Sequence, residues 1–185
     1  MSKQHEPCDA LIIHFHGGGF VAQTSKAHLN YLRDYASFLE IPILSIDYSL
    51  APDHPYPRAL HEAFYAYCWA LANPSLLGWN GNRIILTGDS AGGNLTIAVT
   101  MLAIANDVRV PDFIFPLYPA LLALPLPSPS RLLSIMDPLL GIGILMKCLE
   151  CYVGNASGYD PFLSPSLCPV DILRHFPPTY IQVCL

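Results

Sequence analysis

Two short motifs contain the residues of this sequence whose types and spacing could do chemistry. The first, Gly88-Asp89-Ser90-Ala91-Gly92, has the spacing Gly-x-Ser-x-Gly. This spacing is typical of a serine at a sharp turn from a strand into a helix, where residues two positions away must lack bulk for the turn to close. The hydroxyl then lies at a helix N-terminus, where the dipole and free N–H groups favour developing negative charge. The motif predicts Ser90 as a nucleophile, with Gly88 and Gly92 closing the turn and Asp89 in a structural role.

The second motif is His16-Gly17-Gly18-Gly19, which follows a short apolar run. Glycines allow the backbone to approach a bound ester closely and to direct N–H groups at its oxygen. Alone, three glycines are equally typical of a flexible loop. Their pairing, in this order, with the serine motif favours an oxyanion hole formed by the N–H groups of Gly17, Gly18, Gly19 and Ala91. We expect His16 to order the glycine loop rather than to act as a base.

A serine nucleophile needs a histidine and an acid, in the chain order serine, acid, histidine for this type of turn. Only His175 follows Ser90, and it precedes a predicted strand, which is the wrong place for a general base. We expect His14 to be a hydrogen-bonded strand residue. The remaining candidates are in loop, helix or insertion contexts: His54, His61, Asp137, Asp160 and Asp171. The sequence therefore predicts no complete catalytic triad within its 185 residues.

The elements that must position these motifs alternate between strand and helix. Short apolar runs predict strands at 10–16, 41–48, 82–87 and 113–118. Helical periodicity or length predicts helices at 29–39, 58–72 and 90–105. This order is typical of an α/β fold with a mostly parallel sheet and helices on both faces. The chain is then one partial domain, residues 1–185.

After residue 118 the pattern changes. Residues 119–131 are rich in proline, 132–153 predict two short helices broken near 138–143, and 154–169 predict a loop. A last strand is predicted at 179–184. Residues of about 120–175 therefore form an insertion between sheet strands, which is a natural place for a lid.

The composition excludes several other classes of protein. Hydrophobic residues make up 52% of the chain and charged residues 12%, which is too apolar for a disordered chain. The net charge of −5 and the lack of a basic block argue against nucleic acid binding. No apolar run reaches the ~18 residues that a membrane span needs, and residues 1–9 lack the apolar core of a signal peptide.

The six cysteines predict neither a disulfide framework nor a metal site. Cys148 and Cys151 have Cys-x-x-Cys spacing, but no second pair or nearby histidine completes a zinc site. Buried free thiols in a reducing cytosol are the expectation. The proposed chemistry needs no metal and no cofactor.

Taken together, the motifs resemble the hormone-sensitive lipase family of α/β-hydrolases. The resemblance extends to segments 13–25, 45–52, 57–60, 88–94, 129–134, 136–140 and 161–165. It implies an α/β-hydrolase fold and a hydrolase of neutral acylglycerols and cholesteryl esters, cytosolic and recruited to lipid droplets. It also implies that Ser90 is the nucleophile and that the 17–19 segment and Ala91 supply the oxyanion hole.

The sequence departs from the family pattern in ways that matter. It lacks the family's large N-terminal domain and regulatory insertion, so we expect a truncated fold that is incomplete at both ends. By resemblance, the triad acid is expected just after Leu185 and the histidine about 30 residues later, in the family's chain order. We expect this chain alone to be inactive.

Two alternatives to a lipid ester hydrolase remain at this stage. One is a non-catalytic truncated isoform or pseudoenzyme that binds lipid or a partner. The other is a small-ester carboxylesterase, which shares every motif.

Overall fold

The computed structural model describes residues 6–138 and 140–183, so residues 1–5, 139 and 184–185 lie outside the description. The strands are β1 (Cys8–Phe15), β2 (Ile43–Ile46), β3 (Trp79–Asp89) and β4 (Phe113–Leu117). The helices are α1 (Leu29–Leu39), α2 (Arg58–Ala72), α3 (Ala91–Ala105), α4 (Pro129–Leu133), α5 (Ile142–Val153) and α6 (Val170–Leu173).

The four strands form one parallel sheet in the order β2-β1-β3-β4. Ile12 of β1 pairs with Ile43 of β2 on one side and with Ile85 of β3 on the other. In a parallel sheet the carboxyl ends of all strands lie at the same edge, where functional groups gather. The loop after β1 and the turn after β3 therefore meet there, and the predicted α/β fold is confirmed.

Helix α3 is the centre of the core. Twelve of its residues are buried, which explains why it is apolar all round rather than on one stripe. It packs against the sheet on one side and α2 on the other. Tyr67 of α2, Leu95 of α3 and Phe15 of β1 belong to the same buried cluster.

Helix α1 packs on the opposite face of the sheet. Side chains alternate along a strand, so His14 faces away from Phe15 and the core around α3. The His14 ring lies edge-on to Tyr31 of α1, with its Nε2 atom 2.8 Å from the Tyr31 hydroxyl. The prediction of helices on both faces is thus confirmed within the described residues.

The predicted boundaries of several elements differ from those observed. The helices predicted at 29–39 and 58–72 are confirmed residue for residue. The strand predicted at 41–48 pairs only over Ile43–Ile46, whereas the one predicted at 82–87 extends over Trp79–Asp89 because Trp79 also pairs with Cys8. The helix predicted from Ser90 begins at Ala91, because Ser90 has a non-helical backbone.

The strand predicted at 179–184 is confirmed in part over its described residues, and Cys184 lies outside them. The segment runs parallel to β4, and Tyr180 and Gln182 donate backbone hydrogen bonds to the carbonyls of residues 114 and 116 at 3.1 and 3.3 Å. The pairing forms two isolated bridges, Ile114 with Thr179 and Leu117 with Gln182, rather than a continuous strand. Pro116 of β4 lies between these bridges and has no N–H to donate, so the ladder is interrupted there.

The segment between β4 and Thr179 holds α4, α5 and α6. The predicted break between two short helices is confirmed, since a 3-10 turn ends at Met136 and α5 begins at Ile142. The role of residues of about 120–175 as a lid stays a prediction. Among residues 6–138 and 140–183, the structure has no helix long and apolar enough to cross a membrane.

The first turn of α3 crosses the end of β1 without room for a side chain. A Cβ added at Gly92 would lie 1.9 Å from the Phe15 carbonyl oxygen, and one at Gly88 would lie 2.5 Å from backbone atoms of Gly92. Backbone on both sides leaves no flexible atom that could move aside. These two glycines therefore set the distance between α3 and β1.

We predict that Gly92→Ala lowers the free energy of unfolding by about 2–3 kcal/mol, because the added methyl forces α3 away from β1. Gly143→Ala in α5 is the matched control, since nothing lies within 4 Å of its added Cβ. The control should change stability by less than about 1 kcal/mol, in the stabilising direction. Urea denaturation measures both. Equal stability of Gly92→Ala and the parent would contradict the close crossing.

Candidate active site

Ser90 is held in a strained conformation between β3 and α3. Its φ and ψ are 53° and −110°, a region that non-glycine residues rarely adopt. Backbone hydrogen bonds fix it on both sides: its N–H donates to the Leu117 carbonyl at 2.9 Å, and its carbonyl accepts from the N–H groups of Asn94 and Ala120, each at 3.1 Å. No described residue hydrogen-bonds the Ser90 hydroxyl. The neighbouring elements thus maintain the strain and leave the hydroxyl available.

The glycine loop after β1 has a fixed, left-handed backbone. Gly18 and Gly19 have φ values of 115° and 63°. The Gly18 carbonyl accepts from the N–H groups of Val21 and Ala22 at 3.2 and 3.0 Å, and a Cβ at Gly18 would lie 2.1 Å from the Ala22 oxygen. Phe20 closes the loop by stacking on Tyr152 at 3.6 Å between ring centroids. The loop is therefore held by its own hydrogen bonds and by the stack of Phe20 on Tyr152.

His16 lies under this loop. Its ring stacks on Tyr48 with centroids 4.2 Å apart, and its Nδ1 atom lies 2.7 Å from the Gly17 carbonyl oxygen. Because a carbonyl only accepts, Nδ1 carries the proton. The Tyr48 hydroxyl donates to the His16 carbonyl at 2.6 Å. Burial lowers the pKa of His16, so the neutral ring holds the backbone of the loop.

The motif predicts that the Gly17 N–H donates to the oxygen of a bound ester, but in the structure it donates to a side chain of the protein. Its N–H donates to Asp89 Oδ1 at 3.0 Å, so this amide is occupied by a carboxylate within the protein itself. A Cβ at Gly17 would lie 2.1 Å from Asp89 Oδ2. The expectation that Gly17 contributes to an oxyanion hole is corrected on this ground. Asp89 instead ties the serine turn to the glycine loop.

Three polar side chains surround the buried Asp89 carboxylate. His28 Nε2 lies 3.2 Å from Oδ1, the Tyr31 hydroxyl donates to Oδ1 at 3.4 Å, and His14 Nε2 lies 3.8 Å away. Burial acts to raise the pKa of Asp89, and the facing imidazoles of His14 and His28 outweigh it, so the pKa lies below its usual value. Asp89 is therefore ionised and fully engaged.

Ser90 opens into a cavity of about 670 Å³ with two kinds of wall. The loop residues Gly18 and Gly19 and the helix residue Ala91 line it beside Ser90, and no described residue accepts a hydrogen bond from their N–H groups. One side is polar, with Gln23, His28, Tyr31 and Asp89. An apolar part of the lining comes from α5 and from Leu140, two residues before that helix; its α5 residues are Ile144, Leu145, Cys148 and Leu149.

The other candidate residues lie away from this cavity. His175 lines a separate hollow beside Arg109. Asp160 accepts from the Tyr56 hydroxyl at 2.8 Å, Asp171 pairs with Arg174 at 2.9 Å, and Asp137 accepts from the Leu140 N–H at 3.0 Å. His14 is buried, with Nδ1 3.0 Å from Ser45 Oγ, as expected of a hydrogen-bonded strand histidine. His54 and His61 are exposed.

Sequence reasoning missed His28 and Tyr31 as residues of the site. Both come from the 3-10 turn Ser25–His28 and the start of α1, which carry no motif. The only available signal was position: this segment follows the glycine loop directly. Cys148 was considered only as half of a metal pair, whereas its side chain lies beside Gly19 in the cavity wall.

Similarity to known proteins agrees with this geometry. Residues 12–185 match the family described as having the alpha/beta hydrolase fold. The chain is 59% identical over 145 residues to human hormone-sensitive lipase, which covers 78% of this chain and 14% of that protein. It is 33% identical over 176 residues to the esterase LipI of Mycobacterium tuberculosis, covering 94% of this chain and 54% of that protein.

A solved structure of an esterase has the same fold as this chain. The hyperthermophilic esterase from the archaeon Pyrobaculum calidifontis superposes with a TM-score of 0.89 at 27% identity, over 96% of this chain and 57% of that one. The chain thus spans about one seventh of the human lipase and just over half of the two esterases.

Proposed function

Because this chain belongs to the α/β-hydrolase family, we propose that it carries the nucleophile and oxyanion hole of a serine ester hydrolase. Ser90 Oγ attacks the carbonyl carbon of the ester while a histidine takes the hydroxyl proton. The tetrahedral intermediate collapses, the alcohol leaves with a proton returned by that histidine, and an acyl-Ser90 ester remains. Water, activated by the same histidine, then releases the carboxylic acid and frees Ser90.

One observation carries the proposal: a strained serine and a set of free backbone N–H groups line the same cavity. The N–H groups of Gly18, Gly19 and Ala91 have no internal acceptor among the described residues, unlike that of Gly17. We assign the oxyanion hole to these three. Donors fixed before the reaction stabilise the oxyanion without reorganising, which is the largest catalytic contribution in such sites.

The base that serves Ser90 is proposed to come from outside these 185 residues. His28 is the histidine among the described residues that line the cavity, but both of its ring nitrogens already face oxygen atoms, of Thr24 and Asp89. His175 lines a different hollow. The nucleophile, the acid and the histidine of this fold follow one another in that order along the chain, which places both missing groups after Ser90. This polypeptide alone is then inactive or very slow.

The shape of the cavity favours an ester with an apolar acyl group. The part of the lining that comes from α5 presents aliphatic side chains, whereas another part holds the polar groups around Asp89. We propose lipid esters such as acylglycerols and cholesteryl esters, in keeping with the 59% identity to hormone-sensitive lipase. A cytosolic location with recruitment to lipid droplets is proposed on the same resemblance.

The identity to the esterase LipI supports a second candidate, a carboxylesterase for small esters. The two are separated by the rate profile across p-nitrophenyl esters of increasing acyl length. The engaged nitrogens of His28 favour a third, a non-catalytic form that binds lipid or a partner. Covalent reaction at Ser90 distinguishes this form from both hydrolases, because only the hydrolases would react there.

We predict that a fluorophosphonate probe labels this chain slowly and at Ser90, because the hole stabilises the tetrahedral adduct even where no base assists. Mass spectrometry of the labelled peptides locates the adduct. Ser90→Ala should abolish it, and Ser166→Ala, a change at an exposed serine, should not. Labelling that survives Ser90→Ala would contradict the nucleophile assignment.

Ester hydrolysis by this chain should be at least roughly 10⁴-fold slower than by a longer form that includes the triad histidine.

We predict that Gly18→Val in that longer form lowers kcat by roughly 10²-fold or more, with a smaller effect on KM, because the loop N–H groups act on charge in the transition state. The side chain would also collide with the Ala22 carbonyl and displace the loop. Gly81→Ala, another positive-φ glycine but with open space around it, serves as the control. Near-normal kcat in a folded Gly18→Val enzyme would remove this loop from the mechanism.

A further inference from the structure

We propose that the side chain of Leu149 is a partition that sets the longest acyl chain the Ser90 cavity accepts. It separates this cavity from a hollow along a neighbouring face of α5, which we call the α5 hollow. The inference rests on the proposed function and deepens it, since it names the residue that selects among esters by chain length. Leu149 takes no part in the reaction and limits only the space open to the apolar end of the ester.

Leu149 lines both spaces. The α5 hollow has a volume of about 370 Å³ and lies between α5 and residues 123–125. Of the residues that line it, Leu149 is the one that also lines the Ser90 cavity. Leu149 is only 9% exposed although it borders two spaces, so its atoms fill the junction between them.

The geometry of α5 explains why this residue is shared. Successive residues are about 100° apart around a helix axis, because one turn takes about 3.6 residues. Leu145 and Cys148 lie on the face that borders the Ser90 cavity, whereas Met146 and Val153 lie on the neighbouring face, which borders the α5 hollow. Leu149 lies where the two faces meet.

A second segment also borders both spaces. Ala120 lines the Ser90 cavity, and Ala123, three residues later, lines the α5 hollow. The Ala120 N–H donates to the Ser90 carbonyl at 3.1 Å, and the Ala123 N–H donates to Ser164 Oγ at 2.9 Å, so both positions are anchored. The two spaces are therefore neighbours along this segment as well as along α5, with Leu149 between them.

The α5 hollow suits the end of a hydrocarbon chain. Met146 and Val153 are partly buried and pack against the core. The charged residue in the lining, Glu150, pairs with Lys147 at 3.0 Å, and its side chain is 70% exposed, so its carboxylate faces solvent. An alkyl chain gains free energy when it leaves water for an apolar lining. Removal of the partition should therefore favour longer chains.

Fluorophosphonates with linear alkyl chains on phosphorus, from butyl to dodecyl, test this on the chain itself. The alkyl chain stands in place of an acyl chain, and mass spectrometry of the Ser90 peptide gives the rate constant of labelling. The readout is the ratio of the dodecyl to the butyl rate constant, because a general loss of reactivity cancels in it. Each reagent is used below the concentration at which it forms micelles.

In Leu149→Ala this ratio should rise roughly tenfold or more, the gain that two newly buried methylenes give at about 0.8 kcal/mol each. Leu133→Ala is the matched control, since it removes the same atoms from an exposed leucine that lines neither space. Its ratio should equal that of the parent.

A variant in the α5 hollow locates the effect. Met146 lines this hollow but not the Ser90 cavity. Met146→Phe alone should keep the parent's ratio, because the alkyl chain does not pass Leu149. Combined with Leu149→Ala, it should return the ratio toward that of the parent, because the ring fills the opened space. Such non-additivity is expected of residues that border a shared cavity.

Thermal unfolding shows whether each variant is folded, because truncation of a buried leucine leaves a cavity and lowers stability. If Leu149→Ala does not unfold cooperatively, Leu149→Met decides the question. Methionine keeps the volume of leucine but is unbranched and adaptable, so it should be tolerated and still yield to a long chain. Its ratio should lie above that of the parent.

The proposal is overturned if folded Leu149→Ala keeps the parent's ratio, or if Leu149→Met keeps it where the alanine variant is unfolded. It is also overturned if Met146→Phe leaves the gain of Leu149→Ala intact, since the longer chains would then occupy another space. In both cases Ser90 is labelled, so this proposal fails alone. If no reagent labels Ser90, the ester hydrolase proposal fails and this one fails with it.

Discussion

The contact on which the site depends is the one between the first turn of α3 and the end of β1. Gly88 and Gly92 meet the carbonyl of Phe15 at distances that no side chain permits. This backbone-to-backbone contact brings the turn that carries Ser90 beside the loop that begins at His16. If α3 and β1 were one side chain further apart, the Ser90 hydroxyl and the N–H groups of Gly18 and Gly19 would not face the same cavity.

The charges at this junction are arranged around one buried carboxylate. Asp89 links the two motifs through the Gly17 amide and is surrounded by His14, His28 and Tyr31. A buried carboxylate is costly unless it is paired and hydrogen-bonded, and here every oxygen has a partner. The Asp89 carboxylate lines the same cavity as Ser90, but its charge is met by groups of the protein itself. Beside Ser90, the N–H groups of Gly18, Gly19 and Ala91 have no acceptor among the described residues, which suits an oxygen that becomes negative.

Much of this could be predicted from the sequence, because it depends on local patterns. Short apolar runs predicted β1 and β3, and the serine spacing predicted the turn between β3 and α3. What could not be predicted depends on groups that meet only in the fold. Asp89 takes the amide of Gly17 from 72 positions away, and His28 reaches the same carboxylate from a turn without a motif. The strand predicted at 179–184 is interrupted over its described residues, because its partner, β4, has Pro116 where an N–H is needed.

The central claim is that Ser90 and the amides of Gly18, Gly19 and Ala91 act on the same carbonyl group. A crystal structure of the chain with a phosphonate bound covalently to Ser90 tests it most directly, because the phosphonyl oxygen marks where the oxyanion forms. The account predicts that oxygen about 2.7–3.1 Å from all three backbone nitrogens, with the Gly17 N–H still on Asp89. The claim would be contradicted by a phosphonyl oxygen that points toward the residues of α5. It would also be contradicted if the Gly17 N–H left Asp89 and donated to that oxygen.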